Sequence, residues 1–229
     1  MQRFALDIDI LASITRSVEL TFVIAKFGEA RSFWERRVTA TRIGLCGTVA
    51  LVLLATSGVQ PQAFELMNPD VKPDGVMPEK FIFNGFDCHG QNVSPALNWS
   101  NPPEGTKSFA LMAHDPDAPT GGAGIWHWVV VNIPATAHSI EEGAGTADGT
   151  KLPKGSRQIT NDYAGITNSP GWGGPCPPKG HGSHHYNFTI YALKVERLDL
   201  PANATSSQAG FFVNLNALDK AKLTMTYGR

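Results

Sequence analysis

The chain has 229 residues, a formal net charge of −1 at pH 7 and three cysteines. It has no basic run, so it lacks the electrostatic pattern of a protein that binds nucleic acid. Residues 1–63 carry seven Lys or Arg and five acids, whereas residues 64–229 carry twelve and fifteen and contain all seven His. We therefore look for the chemistry of the protein after residue 63.

The segment Ile43–Ala55 is a run of mostly apolar residues that follows Arg36, Arg37 and Arg42. This layout is typical of a secretory signal, and the run is shorter than the roughly 20 apolar residues that span a bilayer. We therefore predict that residues 1–63 are an N-terminal extension with a signal peptide. The protein would be exported, periplasmic or secreted, and would not be an integral membrane protein after cleavage.

Two of the three cysteines lie outside the apolar run. Cys46 lies within it and would be removed with the signal, which leaves Cys88 and Cys176. An even number of cysteines in an oxidising compartment predicts a disulfide. Two buried, unpaired thiols are the alternative.

About 166 residues remain after residue 63, which is enough for one core and few for two domains. Short runs rich in β-forming residues recur, separated by Gly, Pro, Asn and Asp. The predicted strands are Lys80–Phe83, Ala96–Trp99, Ser108–Ala113, Trp126–Asn132, Tyr186–Val195 and Lys222–Tyr227. The pattern predicts a mainly β domain over residues 64–229, built as a β-sandwich.

The clearest strand is Tyr186–Val195, in which apolar and polar residues alternate, so one of its faces is predicted to be core. One helix is predicted near Ser206–Leu218. Ser206 is a candidate N-cap, and Phe211, Leu215 and Leu218 recur at helical spacing.

Three polar clusters follow the predicted strands. The first, HDPDAPT (His114–Thr120), ends a strand and is also compatible with ordinary turn chemistry. In the second, IWHWVVVN (Ile125–Asn132), a regular strand would point His127 away from Trp126 and Trp128, either into the core or into a pocket.

The third cluster, GGPCPPKGHGSHHY (Gly173–Tyr186), combines a Gly/Pro arm with imidazoles and a phenol. Accessible amides and side-chain donors of this kind suit an oxyanion such as phosphate. A zinc site is the alternative for His181, His184 and His185. However, adjacent His184 and His185 point to opposite faces of an extended chain, and the spacing is not that of a zinc motif.

The long segment Glu141–Pro178 between these clusters is rich in Gly, Pro, Asn and Asp, and its only large aromatics are Tyr163 and Trp172. A loop of this length inside a compact domain is usually functional or disordered.

The motifs DPDAP (Asp115–Pro119), WHW followed by VVVN (Trp126–Asn132) and GPCPPKG…HHY (Gly174–Tyr186) occur here in this order. With them, the chain resembles the phosphatidylethanolamine-binding proteins, and in particular their bacterial branch of Raf-kinase-inhibitor-like proteins. The resemblance runs from about Phe81 to Tyr227.

This resemblance implies an antiparallel β-sandwich with a few short helices, one of them near the C-terminus. It also implies a small cavity for phosphate-like or carboxylate anions. We expect no cofactor and no metal. By position, the cavity residues would be Asp115, Pro119, His127, Gly174, Pro177, Pro178, His184 and Tyr186. The chain departs from the family pattern at Ile125, where many relatives have an aromatic residue, and at His185, where relatives often have Arg.

Three functions are compatible with the sequence. The first is a binding protein for a small anion or a lipid headgroup, regulatory or inhibitor-like and without enzymatic activity. The second is a hydrolase that uses Asp115 and His127 as an acid/base pair, although no G-x-S-x-G motif is present. The third is a protease inhibitor, which only the resemblance implies. The physiological ligand and the protein partner are not identified by the sequence.

Overall fold

The computed structural model describes residues 62–163 and 170–229, which belong to a compact unit that runs from Ser57 to Arg229. The predicted signal run and Cys46 lie outside the described residues, and the predicted division at residue 63 stays a prediction.

The described residues form ten strands, one α-helix (α1, Ser206–Asn216) and a short 3-10 helix (Glu79–Phe81). The strands are β1 (Glu65–Met67), β2 (Asn84–Gly85), β3 (Cys88–His89), β4 (Leu97–Ser100), β5 (Ser108–Asp115), β6 (Ile125–Pro134), β7 (Ser139–Ile140), β8 (Arg157–Gln158), β9 (Ser183–Leu193) and β10 (Ala217–Gly228). The expectation of a mainly β domain with a helix near its C-terminal end is confirmed.

The strands form a five-stranded sheet in the order β10-β9-β5-β6-β8, a three-stranded sheet in the order β1-β4-β7, and the small β2-β3 hairpin. All paired strands are antiparallel. The middle strand β5 pairs with β9 on one side and with β6 on the other, so both of its edges are hydrogen-bonded within the sheet.

Alternate side chains of β5 enter two different cores. Phe109 and Leu111 pack with residues of the three-stranded sheet such as Trp99, whereas Ala110 and Met112 pack on the α1 side. Because successive side chains of a strand point to opposite faces, a continuous apolar run such as Ser108–Ala113 indicates burial on both faces. The five-stranded sheet is therefore the central layer of the domain.

The predicted strand at Lys80–Phe83 is wrong. Its first part lies in the 3-10 helix, where the amide of Phe81 donates to the carbonyl of Pro78 and the amide of Ile82 donates to that of Glu79. The apolar run KFIF indicates burial, but a short buried run does not distinguish a strand from a helical turn.

Helix α1 occupies nearly the predicted range but turns a different face to the core. Its N-cap is Thr205, whose hydroxyl accepts from the amide of Gln208 in a capping box, whereas Ser206 donates to the carbonyl of Thr160. The side chains of Phe211 and Leu215 are exposed.

The residues of α1 that are buried are Ser206, Ala209 and Val213. Small residues allow the helix to lie close to the sheet, which the spacing of the large apolar residues did not indicate. None of the helices in residues 62–163 and 170–229 is long and apolar enough to span a bilayer.

Candidate functional site

Three strand ends meet at one edge of the five-stranded sheet. The antiparallel pairing places the end of β5, which carries Asp115, beside the start of β6, which carries His127. The start of β9, with His184 and Tyr186, lies on the other side of β5.

A cavity of about 270 Å³ opens at this edge. It is lined by Phe86, Asp115, Ala118, Pro119, Thr120, Ile125, His127, Asp162, Tyr163, Cys176, Pro177, Pro178, His184 and Tyr186.

Seven of the eight predicted site residues line this cavity, and Gly174 does not. Gly174 packs behind it, where its amide donates to Asn92 Oδ1 at 2.7 Å. A Cβ at this position would collide with the carbonyl oxygen of Phe81 and the amide nitrogen of Phe83. The structure thus places Gly174 at a close approach of two backbone segments, which only a residue without a side chain permits.

His127 is the extra residue of a β-bulge. The partner of Ala113 in β6 is Trp128, but the partner of the next residue, His114, is Trp126, so His127 has no partner in β5. The prediction that His127 points away from both tryptophans is wrong, because a bulge breaks the alternation of side chains. Of the two alternatives for its side chain, core or pocket, the structure shows the pocket.

The His127 imidazole is fixed from the segment that precedes β9. Its Nδ1 lies 2.5 Å from the carbonyl oxygen of Gly173, and its own carbonyl accepts from the amide of Gly173 at 3.0 Å. Its Nε2 is buried and has no hydrogen-bond partner in the described part of the chain. Burial lowers the pKa of His127 to about 4 against the opposing effects of the Gly173 hydrogen bond and the charge of Asp115.

Asp115 is fully engaged by its own turn and by His184. Its Oδ1 accepts from the amides of Asp117 and Ala118, and its Oδ2 lies 2.7 Å from Nδ1 of His184. The first contacts are the turn chemistry that the DPDAP motif also allowed. Among the described residues, Asp115 and His127 share no hydrogen bond, and each is held by other partners.

His184 links Asp115 to His181 by hydrogen bonds. Its Nε2 lies 2.8 Å from Nδ1 of His181, so both of its ring nitrogens have protein partners. His184 thus lines the cavity without a free donor, and its geometry is that of a residue that positions its neighbours.

His185 takes no part in a histidine cluster at the cavity. Its amide and its Nδ1 each lie 2.7 Å from Oδ2 of Asp117, on the exposed surface. Partial burial would raise the pKa of Asp117, but the hydrogen bonds of His185 outweigh it and lower that pKa. Residues 62–163 and 170–229 hold no group of three or more His, Cys, Asp or Glu arranged to bind a metal ion.

Tyr186 supplies the other unpartnered polar atom of the cavity. Its side chain is buried, and its Oη has no hydrogen-bond partner within the described residues. Burial, and secondarily the charge of Asp115, raises the pKa of Tyr186 well above its usual value. The phenol therefore keeps its proton near neutral pH and is a hydrogen-bond donor.

The rim of the cavity is fixed by a covalent bond and by an arginine. Cys88 and Cys176 form a disulfide with their Cα atoms 5.9 Å apart, which joins the β2-β3 hairpin to the Gly/Pro arm. The Arg229 guanidinium crosses the same gap, since it donates to the carbonyl oxygens of Phe86 and Pro177 at 3.1 and 2.6 Å. Both contacts hold the hairpin, with its 55 % exposed Phe86, against the arm.

Sequence reasoning did not identify several lining residues. Tyr163 and Asp162 come from the long segment between β6 and β9, and Phe86 comes from the β2-β3 turn. The aromatic Tyr163 inside a Gly/Pro-rich loop was the available signal for this segment. Phe86 has a φ of 51°, and no sequence pattern indicated that it would reach the cavity.

Residues 67–228 match the family model for phosphatidylethanolamine-binding proteins. The chain belongs to the phosphatidylethanolamine-binding protein family. This match covers nearly all of the described domain.

Individual members of the family are also similar in sequence and structure. UPF0098 protein YbcL of Escherichia coli (strain K12) is 45% identical over 172 residues, which are 75% of this chain and 91% of that protein. The crystal structure of E. coli YbcL, described as a new member of the mammalian PEBP family, matches with a TM-score of 0.68 at 44% identity, covering 72% of this chain and 98% of YbcL.

A further relative has a name that concerns location. "Putative lipoprotein LppC" of Mycobacterium tuberculosis (strain ATCC 25618 / H37Rv) is 41% identical over 143 residues, which are 62% of this chain and 63% of that protein.

Proposed function

We propose that this phosphatidylethanolamine-binding-protein domain binds a small anionic oxygen group, such as a phosphate or a phospholipid headgroup, in the cavity at His127 and Tyr186. The observation that carries the proposal is the pair of buried polar atoms without partners, His127 Nε2 and Tyr186 Oη, in residues that line one cavity. A buried polar group without a partner costs about 1–3 kcal/mol. A ligand that satisfies both atoms recovers this cost.

The rest of the lining supports a binding site. Pro119, Pro177 and Pro178 give the cavity stiff apolar walls, and Asp115 and His184 are held in place by their mutual hydrogen bond. A largely apolar cavity with a few fixed polar groups is the usual construction of a small-molecule site.

Replacing Tyr186 with Phe should weaken binding of inorganic phosphate or phosphorylethanolamine by about tenfold or more, since one hydrogen bond to a charged group contributes about 1.5–3 kcal/mol. His127→Ala should have a similar effect, whereas His138→Ala changes an exposed residue that does not line the cavity and is the matched control. Calorimetric titration measures all three. Unchanged affinity in both cavity variants would show that the site lies elsewhere.

We also propose a regulatory or inhibitor-like role that acts through a protein partner. Phe86 lines the cavity and is 55 % exposed, so an occupant of the cavity and a partner at the surface would contact the same side chain.

We further propose that the protein is exported. The Cys88–Cys176 disulfide suits an oxidising compartment, and a relative carries the name of a lipoprotein. Expression in a bacterial host followed by fractionation and N-terminal sequencing should yield an extracytoplasmic protein whose chain begins after the Ile43–Ala55 run. A protein recovered in the cytoplasm with residues 1–42 still attached would contradict this.

A further inference from the structure

The orientation of the His127 ring decides which hydrogen-bonding group the cavity offers. Nδ1 lies 2.5 Å from the carbonyl oxygen of Gly173. A carbonyl oxygen only accepts hydrogen bonds, so Nδ1 must carry a hydrogen atom. In the neutral imidazole, Nε2 then carries a lone pair and is a hydrogen-bond acceptor.

The surroundings of the ring favour this neutral form. His127 is buried among the rings of Tyr163, Trp172 and Tyr186, whose centroids lie 5.1, 6.0 and 5.1 Å from that of His127. Burial disfavours the imidazolium and lowers the pKa of His127 to about 4.

Charged and titratable groups lie near the ring on three elements. They are His114 and Asp115 on β5, Asp162 and Tyr163 in the segment after β8, and His184 and Tyr186 on β9. Asp115 and Asp162 favour the imidazolium, and His114 opposes it. The carboxylate of Asp115 already accepts from two amides and lies against His184, and Asp162 accepts from the amide of Trp126.

The two buried atoms without partners in the cavity lining are therefore Tyr186 Oη, which can donate a hydrogen bond, and His127 Nε2, which can only accept one. A fully deprotonated oxyanion has only acceptors, so one of its oxygens would face the Nε2 lone pair. A monoanionic phosphate monoester has both a P–O oxygen and a P–OH group, which match the two protein atoms.

We propose that the cavity selects an oxyanion that brings its own proton, namely the monoanion of a phosphate monoester or of inorganic phosphate. The P–OH group donates to His127 Nε2, and a P–O oxygen accepts from Tyr186 Oη. This inference rests on the proposed anion site and narrows its ligand class. It disfavours sulfate and phosphodiesters, including the diester of an intact phospholipid, because neither has an ionisable hydrogen near neutral pH.

The size of the discrimination follows from where the proton must be placed. The second pKa of a monoester is about 6, about one unit below pH 7, so the need for the monoanion lowers the affinity about tenfold. A diester requires the proton on His127, whose pKa of about 4 lies about three units below the solution pH. The difference between the two is about two units, so the affinity for the monoester should exceed that for the diester by at most roughly 100-fold.

The test compares phosphorylethanolamine, a monoester, with glycerophosphorylethanolamine, a diester, and sulfate by calorimetry at pH 7. Titration in two phosphate-free buffers of different ionisation enthalpy gives the number of protons taken up. The monoester should bind with uptake of about 0.9 proton, because about nine-tenths of it is dianionic at pH 7. The diester and sulfate should bind at least tenfold more weakly. Inorganic phosphate, titrated as a fourth ligand, should group with the monoester.

His127→Gln tests the role of the lone pair, because a Gln amide offers a donor as well as an acceptor. The variant should lose the discrimination between the two esters, whereas His138→Gln should retain it. If His127→Gln does not fold, as judged by circular dichroism, the parent titrations alone decide.

The possible outcomes separate this inference from the proposed function. Equal affinity for monoester and diester, or monoester binding without proton uptake, would overturn the inference and leave the anion site in place. If none of the four ligands binds, the proposed function itself fails.

Discussion

Loss of the Cys88–Cys176 disulfide should lower the free energy of unfolding by about 3 to 5 kcal/mol, since the bond restricts a long loop in the unfolded chain. The two cysteines are 88 positions apart in sequence. Urea denaturation of the isolated domain with and without reductant measures the difference, and intact mass after alkylation verifies the redox state.

Cys88→Ala/Cys176→Ala is the matched variant, and its stability should not respond to reductant. It should be slightly less stable than the reduced parent, because Cys88 is buried and its sulfur atom packs in the core. Equal unfolding free energies for the oxidised and reduced parent would show that the bond does not stabilise the fold.

Acidification from pH 7 to pH 4 should remove roughly 2–4 kcal/mol of stability through His127 alone. The pKa of His127 is about 4 in the folded domain, below the ordinary value of 6.5, because burial disfavours the imidazolium. Between these values the unfolded chain binds the proton and the folded domain does not. The contribution is therefore fully present above pH 6.5 and is lost as the pH falls towards 4.

Unfolding free energies from pH 4 to 7 for the parent, His127→Gln and the exposed-site control His138→Gln provide the measurement. The curve of His127→Gln should be flatter than the other two, which should run parallel. Proton NMR titration of the parent gives the His127 pKa directly. Parallel curves for all three proteins, or titration of His127 near 6.5, would refute the prediction.

Much of the central sheet could be predicted from local patterns. The alternation in Tyr186–Val195 and the apolar run at Ser108–Ala113 correspond to β9 and β5 of the five-stranded sheet. Such patterns are readable because a strand places successive side chains on opposite faces wherever it lies in the fold. The Lys80–Phe83 turn and the exposed Phe211 of α1 were misread because burial there depends on what packs against each segment.

The candidate site shows the same division between local and long-range information. The polar clusters at Asp115, His127 and His184 were visible in the sequence as residues at strand ends. Their partners were not visible, because Asp115 binds a histidine 69 positions away and the His127 ring binds a carbonyl 46 positions away.

The sequence by itself determined the family, the mainly β class and half of the residues that line the cavity, because motifs and strand periodicity can be read from the chain without its fold. The tertiary structure alone decided three features of the site: the bulge that turns His127 into the cavity, the packing role of Gly174 and the engagement of Asp115 with His184. Each depends on the register between segments distant in sequence. Such a register is set by the packing of the whole sheet and leaves no local pattern.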